Sequence, residues 1–140
     1  MSERAALEVG QVVAERDVHL TRDMLARYAG ASGDFNPIHL RDDIAQSVGL
    51  PGVIAHGMLT MGIAVQPVVD WLGGDPRRIL DYQVRFTRTV SVDAVEGADL
   101  HVVARVGAVD DPGGIRIDLT VTAGGATVLG KARVRVAPGS

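Results

Sequence analysis

The chain has no cysteine. Disulfides, thiolate metal ligands and a thiol nucleophile are therefore excluded. It has no excess of positive charge: the net charge is −3 and the pI about 5.7, where a dedicated nucleic-acid binder carries a basic face. Lysine is almost absent, with Lys131 alone against thirteen arginines, which reads as a compositional bias. There is no long hydrophobic run. The longest, Met58 to Val69, is broken by Gly62, Gln66 and Pro67 and is too short to span a bilayer. Met1 to Glu8 lacks an apolar stretch after a basic start, so no signal peptide is expected and the expected location is cytoplasmic. What the chain does have is 46% apolar residues over 140 positions, enough for one domain spanning 1–140 with a real core.

The two halves differ in character. After a short strand near Gln11 to His19, the first half reads as helical. Thr21 is an N-cap candidate with Asp23 in the first turn, where a carboxylate suits the helix dipole. Met24, Leu25 and Tyr28 follow at helical spacing, and Gly30 and Gly33 end the helix. A short helix is expected from about Leu40 to Ser47, then a loop at Gly52 to His56. A longer helix follows from Gly57 to about Leu72, apolar on nearly every side and so expected to be buried. The second half alternates with period two: Tyr82, Val84 and Phe86; Leu100 to Ala108; Ile115 to Val121; Ala132 to Val136. These are half-buried strands. Turn chemistry at Asp110-Asp111-Pro112-Gly113-Gly114 and at Gly124-Gly125 makes the last three an antiparallel meander. The fold class is α+β, with an antiparallel sheet around a central helix. One helix cannot cover the whole sheet, and aromatics are only 4% of the chain, so a dimer is expected.

Chemistry concentrates in Ser32 to His39, Ser-Gly-Asp-Phe-Asn-Pro-Ile-His. Pro37 forces Asn36 out of the helical region, so the segment bends and can turn Asp34 and His39 toward one small object. Two readings stand on spacing alone. Asp34 and His39 cap turns and helices, or they form an acid–base pair. Asn36 ties the turn through backbone bonds. At Ala55-His56-Gly57-Met58 the first N–H groups of the long helix lack helical partners and suit a polarised carbonyl. Gly57 allows close approach to that backbone, while His56 alone reads as a packing residue beside the helix start. Asp34, His39 and His56 also form a two-His, one-carboxylate set, but no compact ligand motif accompanies them and no metal is expected. His19 and His101 read as surface strand residues. The arginines at 85, 88, 133 and 135 fit the polar faces of strands, and a cluster of them at a pocket mouth would suit phosphates.

The segment Tyr28 to His39, YAGASGDFNPIH, followed by Ala45, resembles the hydratase 2 motif of MaoC-like (R)-specific enoyl thioester hydratases and dehydratases. Ile54 to Gly62, IAHGMLTMG, is similar to the start of that family's central helix, and the spacing between the two segments fits. In length, in AHGMLTMG and in Tyr-x-Val-Arg-Phe-Thr (Tyr82 to Thr87), the chain resembles the catalytic β-subunit type of the actinobacterial (3R)-hydroxyacyl-ACP dehydratase. The resemblance implies a hot-dog fold that pairs as a homodimer or with a related hot-dog subunit. It implies catalysis by Asp34 and His39 on one water, with the Gly57 N–H as oxyanion donor and Asn36, His56 and Met58 supporting the site or the substrate. It implies an acyl-CoA or acyl-carrier substrate whose pantetheine is part of the substrate, and no separate cofactor. A serine that some relatives carry along the helix has no counterpart at Thr60 to Gly62. A hot-dog thioesterase and a non-catalytic thioester-binding subunit are the alternatives.

Overall fold

The computed structural model describes residues 7–111 and 113–138. The expected leaderless N-terminus at Met1 to Ala6 and Pro112 of the expected turn lie outside these residues. Chain order gives β1 (Val12–Leu20), α1 (Arg22–Ser32), a 3-10 turn (Pro37–His39), α2 (Asp42–Ser47), α3 (Gly57–Trp71), a 3-10 turn (Pro76–Arg78), β2 (Ile79–Phe86), β3 (Ala98–Asp111), β4 (Gly114–Ala123) and β5 (Ala126–Val136). The strands form one five-stranded sheet in the order β1-β3-β4-β5-β2, with every pairing antiparallel. β3, β4 and β5 are the expected meander. β1 and β2 close its two sides, β1 by pairing Val12 to Leu20 with Arg105 back to Ala98.

The elements follow from local chemistry. Thr21 caps α1, its side chain accepting from the Met24 N–H at 3.3 Å. The helix passes through Gly30 and stops only at Gly33, whose φ of 78° is the left-handed conformation that ends helices. Gly30 therefore does not end it, since glycine weakens a helix without breaking it. The expected helix from Leu40 divides in two: Pro37 initiates a tight 3-10 turn, and α2 starts afresh at Asp42. In α3 the residues Thr60, Ala64, Pro67 and Val68 are buried, the spacing of one helix face. The sheet's inner face meets them with Leu100, Val102, Val106, Ile117, Val121 and Val134, all within 1% of full burial.

Both edges of the sheet reach α3. From β1, Arg16 pairs with Asp70 at 2.6 Å. From β2, the Tyr82 hydroxyl donates to the Met61 carbonyl at 2.7 Å, and burial raises that phenol's pKa. A sheet whose opposite edges bond one helix is wrapped around it. The wrap is incomplete: Met58 is 61% exposed on α3 and Leu80 47% exposed on β2. The expectation of an all-round buried helix is corrected accordingly, because the sheet of one chain covers one side of it. β5 also departs from simple alternation. Lys131 has φ 47°, the one non-glycine residue with positive φ among the described residues. Here Gln83 and Arg85 on β2 oppose Arg133 and Gly130 on β5, so β5 carries an extra residue, a β-bulge.

Candidate active site

Three segments build the site: the motif loop, the strand-like segment 53–56 and the first turn of α3. Asp42 holds the first two together. Its Oδ1 accepts from the Val53 N–H at 2.9 Å and from Arg22 at 2.8 Å, and these bonds, Val53 first, lower its pKa. Ile54 N–H donates to Ile38 O at 3.1 Å, and Ala55 N–H to Val90 O at 2.8 Å. Residues 53–55 are thus stitched to the 3-10 turn on one side and to the segment before β3 on the other.

Within this frame the motif loop organises itself. Asp34 N–H donates to Ser32 Oγ, Asn36 N–H to Asp34 Oδ1, and Ile38 N–H to Asn36 Oδ1, at 3.1, 3.2 and 3.2 Å. Asn36 therefore shapes the turn, as expected of an Asn before Pro. His39 is buried, and its Nδ1 lies 2.8 Å from the Ile54 carbonyl. A carbonyl only accepts, so Nδ1 carries the proton and Nε2 is left with its lone pair. That Nε2 faces Asp34 Oδ2 at 3.8 Å. The gap exceeds a hydrogen bond, and one water at about 2.8 Å from each atom would bridge it. The Asp34 side chain is 50% exposed.

His56, 1% exposed, ties the two segments together. Its Nε2 lies 3.1 Å from the Asp34 carbonyl, so it donates there. Its ring stacks on His39 with centroids 3.9 Å apart and takes the edge of Tyr28 at 4.8 Å. Burial lowers the His56 pKa, outweighing the bond to the Asp34 carbonyl, which raises it. Reading His56 from sequence as plain packing missed this bond, because it links residues 22 positions apart. A metal would need the Asp34, His39 and His56 ligand atoms, which lie within 4.8 Å of one another. One nitrogen of each imidazole is already committed to a carbonyl.

The Gly57, Met58 and Leu59 N–H groups open α3; its first helical bond runs from Thr60 N–H to His56 O. His56 provides no side-chain cap, and the first N–H groups of a helix have no partner within it. Gly57 and His39 line one cleft of about 250 Å³, with Ile54, Thr60, Phe86 and Arg88 among its walls. A Cβ on Gly57 would stand 3.1 Å from the Phe86 ring. Met58 is not part of that wall; its side chain is directed outward and exposed. Thr60 and Phe86 are wall residues without a sequence motif of their own. Thr60 stands one turn into a helix already marked by its start, and Phe86 ends an alternating strand.

An antiparallel five-stranded sheet wrapped on a helix places the chain in the hot-dog class of α+β proteins. The model of the MaoC like domain matches residues 5–122, and the chain belongs to that family. Among curated proteins it is similar to 3-hydroxyacyl-thioester dehydratase X of Mycobacterium tuberculosis, 39% identical over 80 residues, which are 57% of this chain and 27% of that protein. It is also similar to the peroxisomal hydratase-dehydrogenase-epimerase of Saccharomyces cerevisiae, 37% identical over 76 residues, 54% of this chain and 8% of that one. These alignments span well under a third of the relatives' lengths. Among solved structures, a MaoC-like dehydratase superposes with a TM-score of 0.90 at 36% identity, over 97% of this chain and 42% of that one. The (R)-hydratase from A. caviae does so at 0.78 and 27% identity, over 94% and 98%.

Proposed function

We propose that this chain hydrates trans-2-enoyl thioesters reversibly and, in the other direction, dehydrates (3R)-hydroxyacyl thioesters. The observation that carries the reading is the 3.8 Å gap between His39 Nε2 and Asp34 Oδ2, with His39 lining the same cleft as Gly57. Water held between the two groups donates one proton to the pair and its oxygen to Cβ. The double bond's electrons move to the thioester, and charge gathers on its oxygen. The Gly57 N–H at the uncapped helix start receives that oxygen; one such donor is worth roughly 3–4 kcal/mol in a transition state. The pair then returns its proton to Cα on the same face, and reversing the steps expels water. Asn36 keeps the loop bent and His56 holds Asp34 by its carbonyl. The substrate brings its own pantetheine, and the steps above use no further cofactor.

The active unit is a dimer, either of two copies or with a related hot-dog subunit. β2 is an edge strand with Leu80 and Phe86 exposed beside the open side of α3, and a long acyl chain needs walls that this chain alone does not supply. The resemblance to the β-subunit type of (3R)-hydroxyacyl-ACP dehydratase points to the same arrangement.

The test is hydration of crotonyl-CoA, followed by loss of enoyl absorbance and by chiral analysis of the product, with the chain alone and with a partner subunit. Asp34→Asn and His39→Ala are each expected to abolish turnover while the circular dichroism spectrum stays native. Wild-type rates in either variant would falsify the assignment. Release of free thiol from crotonyl-CoA would instead mark a thioesterase.

A further inference from the structure

A single arginine closes a ring of bonds around the segment that presents the Ile54 carbonyl. Arg22, at the start of α1, reaches two targets. Its Nε donates to the Val92 carbonyl, and its guanidinium donates to Asp42 Oδ1 at 2.8 Å. Both targets grip Val53, which is fully buried. Asp42 Oδ1 accepts the Val53 N–H at 2.9 Å, and the Val92 N–H donates to the Val53 carbonyl at 3.0 Å. One residue on, the Ile54 carbonyl meets His39 Nδ1 at 2.8 Å. From Arg22 to His39 the contacts therefore run as one chain, through Asp42, Val53 and Ile54.

Two features set this ring apart from a surface ion pair. The first is reach. The Arg22 side chain is 26% exposed, and its two bonds diverge to segments before and after α3. The neighbouring pair of Arg41 with Asp43 is well exposed and spans two positions of one loop. The second is room. A Cβ on Gly52 would stand 2.9 Å from Asp42 Oδ1, the oxygen that takes the Val53 N–H. Gly52 does not have a positive φ, so its backbone conformation does not call for glycine. What the missing Cβ permits is the close approach of the carboxylate. Arg22, Asp42, Gly52 and Val53 line a groove of about 330 Å³ that shares no wall residue with the cleft. Asp93 stands in the same groove, but its carboxylate serves the N–H groups of Val95 and Glu96.

We infer that Arg22, Asp42 and Gly52 are positioning residues for the acid–base pair: they hold the Ile54 carbonyl where it keeps the His39 proton on Nδ1. The inference rests on the hydratase reading and adds to it three residues that line no part of the cleft. A neutral imidazole has one N–H, and the proton settles on the nitrogen with the better acceptor. Two acceptors compete here. The Asp34 carboxylate, 3.8 Å from Nε2, draws the proton to Nε2, and the Ile54 carbonyl opposes it from Nδ1. If that carbonyl withdraws, the proton moves to Nε2, and the lone pair that faces the water is lost.

The experiment uses the full chain with whatever subunit it requires. It compares Gly52→Ala, Asp42→Ala and Asp42→Asn, with Asp43→Ala as control. The readouts are kcat and KM on crotonyl-CoA, the melting temperature, and nitrogen NMR of the imidazole rings, with His39→Ala identifying the His39 signals. Gly52→Ala leaves both charges in place and pushes the carboxylate off the Val53 N–H into the open groove. It is expected to lower kcat by roughly tenfold or more, the scale of a slightly misplaced catalytic group. KM and the melting temperature should stay close to wild type, and the His39 proton should move from Nδ1 toward Nε2. Asp42→Ala should give the same change with a larger fall in melting temperature. Asp42→Asn, whose Oδ1 still accepts, should recover most of the lost kcat. Asp43→Ala should change none of these. If Asp42→Ala does not fold, Gly52→Ala decides the matter. Wild-type kcat in Gly52→Ala overturns the inference, whether or not the proton moves, as does a loss in Asp42→Asn equal to that in Asp42→Ala. Absence of turnover in the wild type would instead overturn the hydratase reading, while the nitrogen spectra still report whether Gly52 and Asp42 fix the His39 proton.

Discussion

At the scale of single residues, the site depends on which nitrogen of each imidazole is committed. His39 spends Nδ1 on the Ile54 carbonyl, and His56 spends Nε2 on the Asp34 carbonyl. One ring is left with a lone pair toward Asp34, and the other anchors the loop that carries Asp34. Replacing His56 by Phe keeps a flat apolar ring against His39 and Tyr28 but removes the donor to Asp34. The lost bond is worth about 1 kcal/mol of stability, whereas a loosened Asp34 costs the reaction roughly 10- to 100-fold, since small misplacements of a catalytic group carry such penalties. Thermal unfolding and kcat on crotonyl-CoA measure the two effects separately. If both change together in proportion, His56 is only packing. Asp34, His39 and Asn36 were legible because their types and the Asn-Pro bend are local. The Ile54 carbonyl and the His56–Asp34 bond were not, because backbone acceptors leave no mark on a sequence and partners 15 and 22 positions apart meet only through the fold.

At the scale of elements, two glycines separate function from architecture. A Cβ on Gly57 would press the Phe86 ring at 3.1 Å, and that side chain is half exposed and can swing away. A Cβ on Gly97 would lie 2.1 Å from the Leu20 backbone carbonyl, at φ 70°, where the end of β1 cannot retreat. Gly97→Ala is therefore expected to destabilise the protein by about 2–3 kcal/mol. Gly57→Ala should leave melting nearly unchanged and lower kcat/KM by crowding the oxyanion position. Calorimetry on both variants, beside crotonyl-CoA kinetics for Gly57→Ala, checks the contrast. The helix starts at Thr21 and Gly57 were readable because caps and glycine are written in local residue types, and the meander because alternation with turn residues is unambiguous. The bulge at Lys131 was not readable: its positive φ falls on a residue with no preference for it. The open side of α3 was misread because a uniformly apolar helix does not reveal how much cover one chain provides.

At the scale of the whole molecule, two histidines oppose each other in their response to acid. His101 sits between Asp17 and Glu15, and these bonds, Asp17 first, raise its pKa above the usual 6.5. Its contribution to stability is thus full below about 6.5 and is lost as pH rises through the raised value. The lowered pKa of buried His56 acts the other way: below about 6.5 the unfolded chain takes up a proton that the folded chain refuses, so acid weakens the fold. His101→Asn should therefore make the loss of melting temperature between pH 7 and pH 5 steeper than in the wild type, with the two proteins converging at alkaline pH. High salt should shrink the difference, since the His101 pair is exposed. If the two profiles run parallel from pH 5 to pH 9, the charge pairing is without effect. The two-edged grip on α3, by Arg16 from β1 and Tyr82 from β2, also sets an order of assembly. β1 has no partner until β3 follows it some 80 residues later, so Asp34, His39 and Gly57 leave the ribosome well before the strand that closes their frame. Such distant pairing belongs to folds that form in milliseconds to seconds, and until it is complete the newly made half of the chain is an exposed apolar helix awaiting its sheet.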